Sequence, residues 1–182
     1  MNYYIGIDNG VTGSVCVLDE SGKCLEYWPT PVEKTLNYTK VKEYITRVQG
    51  NILGKKLRPY AETGTVVIER PLVNPGRWKA TVSALRCDEA TRIVLEILGL
   101  RFIYVDSREW QSVMLPKRKS LPAVSRSMTA AEKTAHKAKA TAFKKETKEL
   151  SLMVAQRLFP QIAFSKDGDA ALMAEWARRQ RM

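Results

Sequence analysis

The sequence predicts an α/β fold: a mixed sheet of three antiparallel strands followed by two parallel strands, flanked by helices. Two observations carry this expectation. The chain opens with three β-patterned stretches joined by tight turns, and beyond them strand and helix patterns alternate to the C-terminus. Tyr3 to Asp8 reads as a short buried strand. GVTG then turns the chain, SVCVLD alternates into a second strand, and Ser21-Gly22 turns it again into a third over Lys23 to Trp28.

After a proline-containing loop, Val41, Tyr44, Ile45 and Val48 have helical spacing, so a helix is expected over Tyr38 to Val48, ending near Gly50. Thr65 to Glu69 is a continuous apolar run between Gly64 and Pro71, the pattern of a central strand covered on both faces. A long helix is expected from Lys79 to Leu98, stopped by Gly99. Arg101 to Val105 reads as a strand, followed by a short helix capped by Ser107 and carrying Trp110, Val113 and Met114. Residues 116–128, with two prolines and several serines, read as a mobile loop. Thr129 to Leu158 reads as a helix that becomes amphipathic through Leu150, Val154 and Leu158, ended by Pro160. Asp169 to Arg179 is the last helix, with Ala170, Met173, Ala174 and Ala177 on one stripe.

At 182 residues the chain fits a single domain over 1–182, with a basic mobile segment near 116–145. Its 45% hydrophobic and 27% charged residues are those of a globular protein, and no apolar run is long enough to cross a bilayer. The N-terminus lacks the layout of a signal peptide, so the expected location is the cytoplasm, or the host cytoplasm for a viral source. Organelle stroma or matrix stays open for a mature chain. Cys16, Cys24 and Cys87 have no metal-ligand spacing and read as reduced structural thiols. The net charge of +11 is concentrated: Lys117 to Lys148 holds ten Lys or Arg against two Glu. Such a block is the footprint of phosphate neutralisation, or alternatively a solvated surface segment.

Acidic residues stand at the ends of the patterned elements: Asp8 after Ile5 and Ile7, Glu69 after Val66, Val67 and Ile68, and Asp167 and Asp169 before the last helix. If the first and fourth strands are neighbours, Asp8 and Glu69 emerge side by side. Several carboxylates together suit Mg2+ or Mn2+, and two such ions can clamp an in-line attack on a phosphodiester. Residues two apart do not share a helix face, so Asp167 and Asp169 serve one site only if Asp167 precedes the helix, a break that Gly168 permits. Bland readings compete: Asp8 as a turn residue, Glu69 as a surface partner of Arg70, Asp167 as a helix N-cap.

The order of elements is that of an RNase H-like domain. IGIDNGVTGS, VVIERP and KDGDAALMAEWARR together resemble the acidic motifs of RuvC-type Holliday-junction resolvases, of the phage or organelle-like branch, and the resemblance runs from the first strand to the last helix. It implies an RNase H-like fold, a homodimer, dependence on Mg2+ with Mn2+ able to substitute, two ions per site, and paired symmetric nicks across a four-way DNA junction. It makes Asp8, Glu69, Asp167 and Asp169 the metal ligands, although many relatives space the last two acids three apart rather than two. Lys148 matches a catalytic lysine of the family, with a role in phosphate positioning or charge stabilisation.

The segment after the second acid inserts near the junction crossover in that family. Leu72 matches by spacing, and Trp78 between Arg77 and Lys79 offers a stacking face with phosphate contacts beside it, or else a core anchor for the helix. Lys117, Arg118, Lys119, Lys144 and Lys145 are the expected DNA contacts of the basic segment. The helix over Lys79 to Leu98 resembles the family's dimer element, and its Val82, Leu85, Ile93, Val94 and Ile97 serve either a dimer face or the core. His136, alone among lysines, reads as solvated or phosphate-facing. Two rivals remain: the IGIDNGVTGS turn also resembles the phosphate hairpin of actin-like ATPases, which need two domains, and the basic segment alone suits a non-catalytic branched-DNA-binding protein. A broader flap or fork nuclease of the same fold is a third.

Overall fold

The computed structural model describes residues 2–37, 40, 42–117, 125, 127–164 and 168–182. Five strands form the main sheet: β1 (Tyr3–Ile7), β2 (Ser14–Asp19), β3 (Cys24–Pro29), β6 (Gly64–Glu69) and β7 (Arg101–Val105), in the order β3-β2-β1-β6-β7. β1 and β2 pair antiparallel, as do β2 and β3, whereas β6 runs parallel to both β1 and β7. This is the mixed RNase H-like sheet expected, with β1 and β6 adjacent at its centre.

Alternation along the strands divides the core into two layers. Ile5, Ile7, Val66 and Ile68 point to one face, where they meet Leu53 and Leu57 of α1 (Gly50–Leu57) and Val94 and Leu95 of α2 (Trp78–Leu98). Tyr4 and Val67 point to the other, against Trp110 of α3 (Ser107–Met114), Ala155 of α4 (Ala130–Leu158) and most of α5 (Asp169–Arg179). α2 ends on Gly99, whose left-handed φ of 67° lets the Gly99 and Leu100 amides donate to the carbonyls of Glu96 and Leu95. All three cysteines are free thiols. Among the described residues no helix is long and apolar enough to cross a membrane.

The helix expected over Tyr38 to Val48 is not there. β4 (Val32–Leu36) and β5 (Tyr44–Val48) form an antiparallel hairpin with Val32 opposite Val48 and Thr35 opposite Ile45. The apolar spacing fits a helix and a strand alike, but β-branched and aromatic residues favour the pleated surface. The helix starts at Gly50, where it was expected to stop. A side-chain carbon on Gly50 or Gly54 would touch Val94, at 3.3 and 3.6 Å, so the two glycines bring α1 close against α2. α3 is capped by Asp106 rather than Ser107: Asp106 accepts from the Arg108 amide while the Glu109 carboxylate accepts from the Asp106 amide. Thr129 and Glu132 make the equivalent box at the start of α4. Most of the loop expected over 116–128 lies outside the described residues.

α5 sits on the sheet almost without intervening side chains. Ala170, Ala171, Leu172, Met173, Ala174 and Ala177 are fully buried, and a Cβ on Gly6 of β1 would lie 2.0 Å from the Ala170 carbonyl oxygen. A Cβ on Gly168 would lie 2.1 Å from that of Ala155 on α4. Gly6→Ala must therefore push α5 off the sheet. The expected loss is about 3 kcal/mol, the upper end of the usual overpacking range, read as a lower urea midpoint at unchanged slope; an unchanged midpoint would contradict the contact.

Candidate active site

β1 and β6 run parallel in a register that pairs Ile7 with Ile68, so one step further Asp8 stands level with Glu69. By the same alternation that turns Tyr4 and Val67 towards α5, both acids emerge on the α5 face. The turn after Asp8 is tight: the Asp8 amide donates to the Ser14 carbonyl, and a Cβ on Gly13 would lie 1.9 Å from the Asp8 carbonyl oxygen. Asp169 is the first residue of α5, after the N-cap Gly168, where the helix dipole favours an anion. It is buried, and the Ser151 hydroxyl of α4 donates to its Oδ1. The close approach of Gly168 to Ala155 and Ser151 holds this corner of the site.

These groups feel one another. Burial raises the Glu69 carboxyl to about 8, with further upward pushes from Asp8, Asp169 and Asp106, opposed by the Lys148 ammonium. Three acids from separate elements and the lysine of α4 therefore converge on one electrostatic neighbourhood. Asp106 joins them because it follows Val105, the residue that Glu69 faces across the parallel β6-β7 pair. Among the described residues, no three acidic, histidine or cysteine side chains stand close enough to hold an ion without some movement. Like charges spread when only one ammonium offsets them. The donor set nonetheless fits a hard divalent cation, since it is anionic and supplied by oxygen alone, and the neighbouring acids that add to the effect of burial on Glu69 are charges a cation would offset.

Two of these acids, Asp8 and Glu69, open onto a cleft of about 630 Å³. Asp8, Asn9 and Glu69 form its floor. One wall is the loop after β6 with Leu72 and Arg77, continued by Ala80, Thr81 and Ala84 of α2; the other is Lys137, Ala140, Thr141 and Lys144 of α4. The loop is pinned where Thr81 Oγ1 donates to the Asn74 carbonyl at 2.8 Å and accepts from its amide at 3.0 Å.

Of the residues singled out from sequence, Asp8, Glu69, Leu72, Arg77 and Lys144 line this cleft, and Lys148 and Asp169 act electrostatically on its floor. Leu72 is 74% exposed. Trp78 is 69% exposed, which rules out the core-anchor reading; it borders a neighbouring groove with Ile45 and Val82. Lys79 pairs with Glu43 at 3.1 Å and Lys145 with Glu149 at 3.8 Å, and neither lines the cleft. Lys117 is exposed and His136 is half-buried on α4. Asp167, Arg118 and Lys119 lie outside the described residues. On α2, Val94 is buried in the core and Val82 is half-buried, whereas Leu85, Ile93 and Ile97 are exposed.

Sequence reading missed four contributors. Ser151 is one serine inside a helix, with no motif to mark it. Asp106 looked like a loop residue, although an Asp three positions before Glu109 is a capping-box signal. Asp88 of α2 accepts from Asn9 Nδ2 at 2.8 Å and from the Tyr104 hydroxyl at 2.9 Å, tying the turn beside Asp8 to α2. Lys137 was hidden within a run of lysines.

No family model matches the chain, and no curated protein matches it. Solved structures do. T. thermophilus RuvC in complex with Holliday junction substrate superposes with a TM-score of 0.56 at 10% identity, covering 100% of this chain and 96% of that one. A second structure of Thermus thermophilus RuvC superposes at a TM-score of 0.43 and 9% identity, over 98% of this chain and 96% of that one. The likeness is one of fold.

Because Glu69 binds its proton more tightly in the folded chain than in the unfolded one, its contribution to stability is full below the usual carboxylate value of 4.5 and is lost as pH rises towards about 8. Glu69→Gln cannot ionise and escapes that loss. In EDTA near pH 8 the variant is expected to be more stable than the parent by on the order of 2–4 kcal/mol, with the two converging in acid. Mg2+ is expected to raise the Tm of the parent more than that of the variant; superimposable pH profiles of Tm in EDTA would contradict the proposed crowding of charge.

Proposed function

We propose that this chain is a metal-dependent, structure-selective DNA endonuclease that resolves four-way junctions by paired symmetric nicks, leaving 5′-phosphate and 3′-hydroxyl ends. The observation that carries the reading is the convergence of Asp8, Glu69 and Asp169 on one face of an RNase H-like sheet, beneath a helix bearing lysines. The RuvC structure that shares this fold was solved with a Holliday junction. Asp8, Glu69 and Asp169 are the proposed ligands of two Mg2+ ions, with Asp167 completing the set and Mn2+ able to substitute. Bound there, the ions supply an activated water and stabilise the departing 3′-oxygen.

The chain's own groups prepare this chemistry. Ser151 donates to the carboxylate of Asp169 and so helps to orient it. Lys148, whose charge acts on Glu69, is the proposed partner of the negative charge on the scissile phosphate. Asp88 steadies the Asn9 turn from behind Asp8. Leu72 and Trp78 are the proposed contacts at the branch point, with Arg77, Lys144 and the remaining basic residues, including Lys117, Arg118, Lys119, Lys79 and Lys145, neutralising phosphates. A homodimer through the exposed Leu85, Ile93 and Ile97 of α2 would supply two sites for two nicks.

The test incubates the protein with a labelled four-way junction, a linear duplex and a flap, in Mg2+, Mn2+ or EDTA. Symmetric, metal-dependent nicks on the junction support the proposal; equal cutting of all three would make the chain a general branched-DNA nuclease, and binding without cutting under any metal would leave a non-catalytic binder. Asp8→Asn is expected to abolish cutting while junction binding persists. Ser151→Ala is expected to reduce cutting about 10–100-fold, the usual cost of losing the partner of a metal ligand, with a higher Mg2+ requirement and little change in junction affinity.

A further inference from the structure

The cleft has two helical walls, and both are made of small residues at the level where they face each other. On α2 these are Ala80, Thr81 and Ala84; on α4 they are Ala140 and Thr141, bracketed by Lys137 and Lys144. The four α4 positions follow a spacing of 3, 1 and 3 and so form one stripe. The lysines are two helical turns apart, about 10.5 Å along the axis. The acids lie below them on the floor. This half of α4 contributes no fully buried residue: those of the helix are Ser151 and Ala155, and residues 130–149 include none. A basic wall held up by its own capping box, facing acids across a smooth gap, is a surface built for a ligand rather than for packing.

We infer that the cleft is a slot for one unpaired strand of nucleic acid, gripped along its sugar-phosphate backbone by Lys137 and Lys144. The inference rests on the nuclease reading and names the local form of its substrate. The narrowest form of nucleic acid able to bring a phosphate to Asp8 and Glu69 between the α2 and α4 linings is a single strand, since a duplex has to seat its complementary strand as well. An unpaired strand carries no such bulk. Ala and Thr at the waist admit the sugar edge, and the two ammonium groups meet phosphates on either side of the one above the acids. Selectivity for branched DNA then needs no base contact: a branch point is where a strand leaves its partner at least cost.

The experiment measures, by fluorescence anisotropy in EDTA at fixed salt, the binding of a labelled oligothymidylate, a linear duplex of equal length and a four-way junction. The intact chain is expected to bind the single strand at least 10-fold more tightly than the duplex. Ala140→Trp plugs the slot and is expected to weaken single-strand binding at least 10-fold and to suppress junction cutting in Mg2+, with duplex affinity unchanged. Ala142→Trp, about 200° around the helix from Ala140, is the control expected to behave like the parent. Lys137→Glu leaves the waist open and decides the matter should the plugged variant fail to fold; it is expected to weaken single-strand binding and, measured over a salt series, to flatten the salt dependence by about 0.7 for each phosphate left without its cation.

Equal affinity of the parent for single strand and duplex, or parental single-strand binding by both slot variants, would overturn the slot. If junction cutting by the parent is intact in that case, only the slot falls. If the parent neither binds nor cuts the junction, the nuclease proposal falls instead.

Discussion

The contact between the backbone of α5 and Gly6 of β1 is the constraint on which the rest of the molecule depends. With no side chain at Gly6 and alanines at 170 and 174, the helix lies on the sheet at a separation that larger residues would not permit. Its first residue, Asp169, is thereby lowered to the level of Asp8 and Glu69 at the ends of β1 and β6. The parallel register of those strands brings two acids together, and the seating of α5 adds the third. Gly168 repeats the device between α5 and α4, and through it Ser151 and Lys148 come to act on the same neighbourhood. Packing of very small residues thus determines the spacing of very polar ones.

The two ends of α5 treat buried charge in opposite ways. At its C-terminal end, burial alone would raise the Glu175 carboxyl, but hydrogen bonds from Arg178 and Arg179, both at 2.7 Å, bring it below the usual range. That carboxylate is structural and satisfied. At the N-terminal end burial and neighbouring acids prevail, and Glu69 is driven upward with only Lys148 in opposition. The fold supplies a double arginine clasp to one buried acid and a single lysine to the other, and such uneven compensation is a common mark of a functional site.

The parts legible in the sequence were those with a single strong physical signature. β1, β2, β6 and β7 stand out as apolar runs between turn residues, and α5 as an alanine stripe beginning at an acid. Asp8 and Glu69 were visible because they sit where such runs end. The β4-β5 hairpin was misread because Val41, Tyr44, Ile45 and Val48 satisfy both periodicities, and only residue type separates them. α1 was missed because Gly50 and Gly54 are poor helix formers; they are there to let Val94 approach, a tertiary demand that overrides local propensity. Ser151 and Lys137 were illegible in another sense: nothing about a serine or a lysine in a helix indicates which side of it will face the acids.

The free-standing half of α4 bears on how such a chain varies. Residues 130–149 are helical and none is fully buried, so most substitutions there cost folding little while changing one wall of the cleft. Folding is concentrated elsewhere, in the two apolar layers on either side of the five-stranded sheet and in the glycines that seat its helices. The superposition on a structure 10% identical in sequence shows that such a sheet does not require one particular set of core side chains. On the exposed helix a substitution meets little penalty in stability, so the character of that wall is set almost independently of the fold.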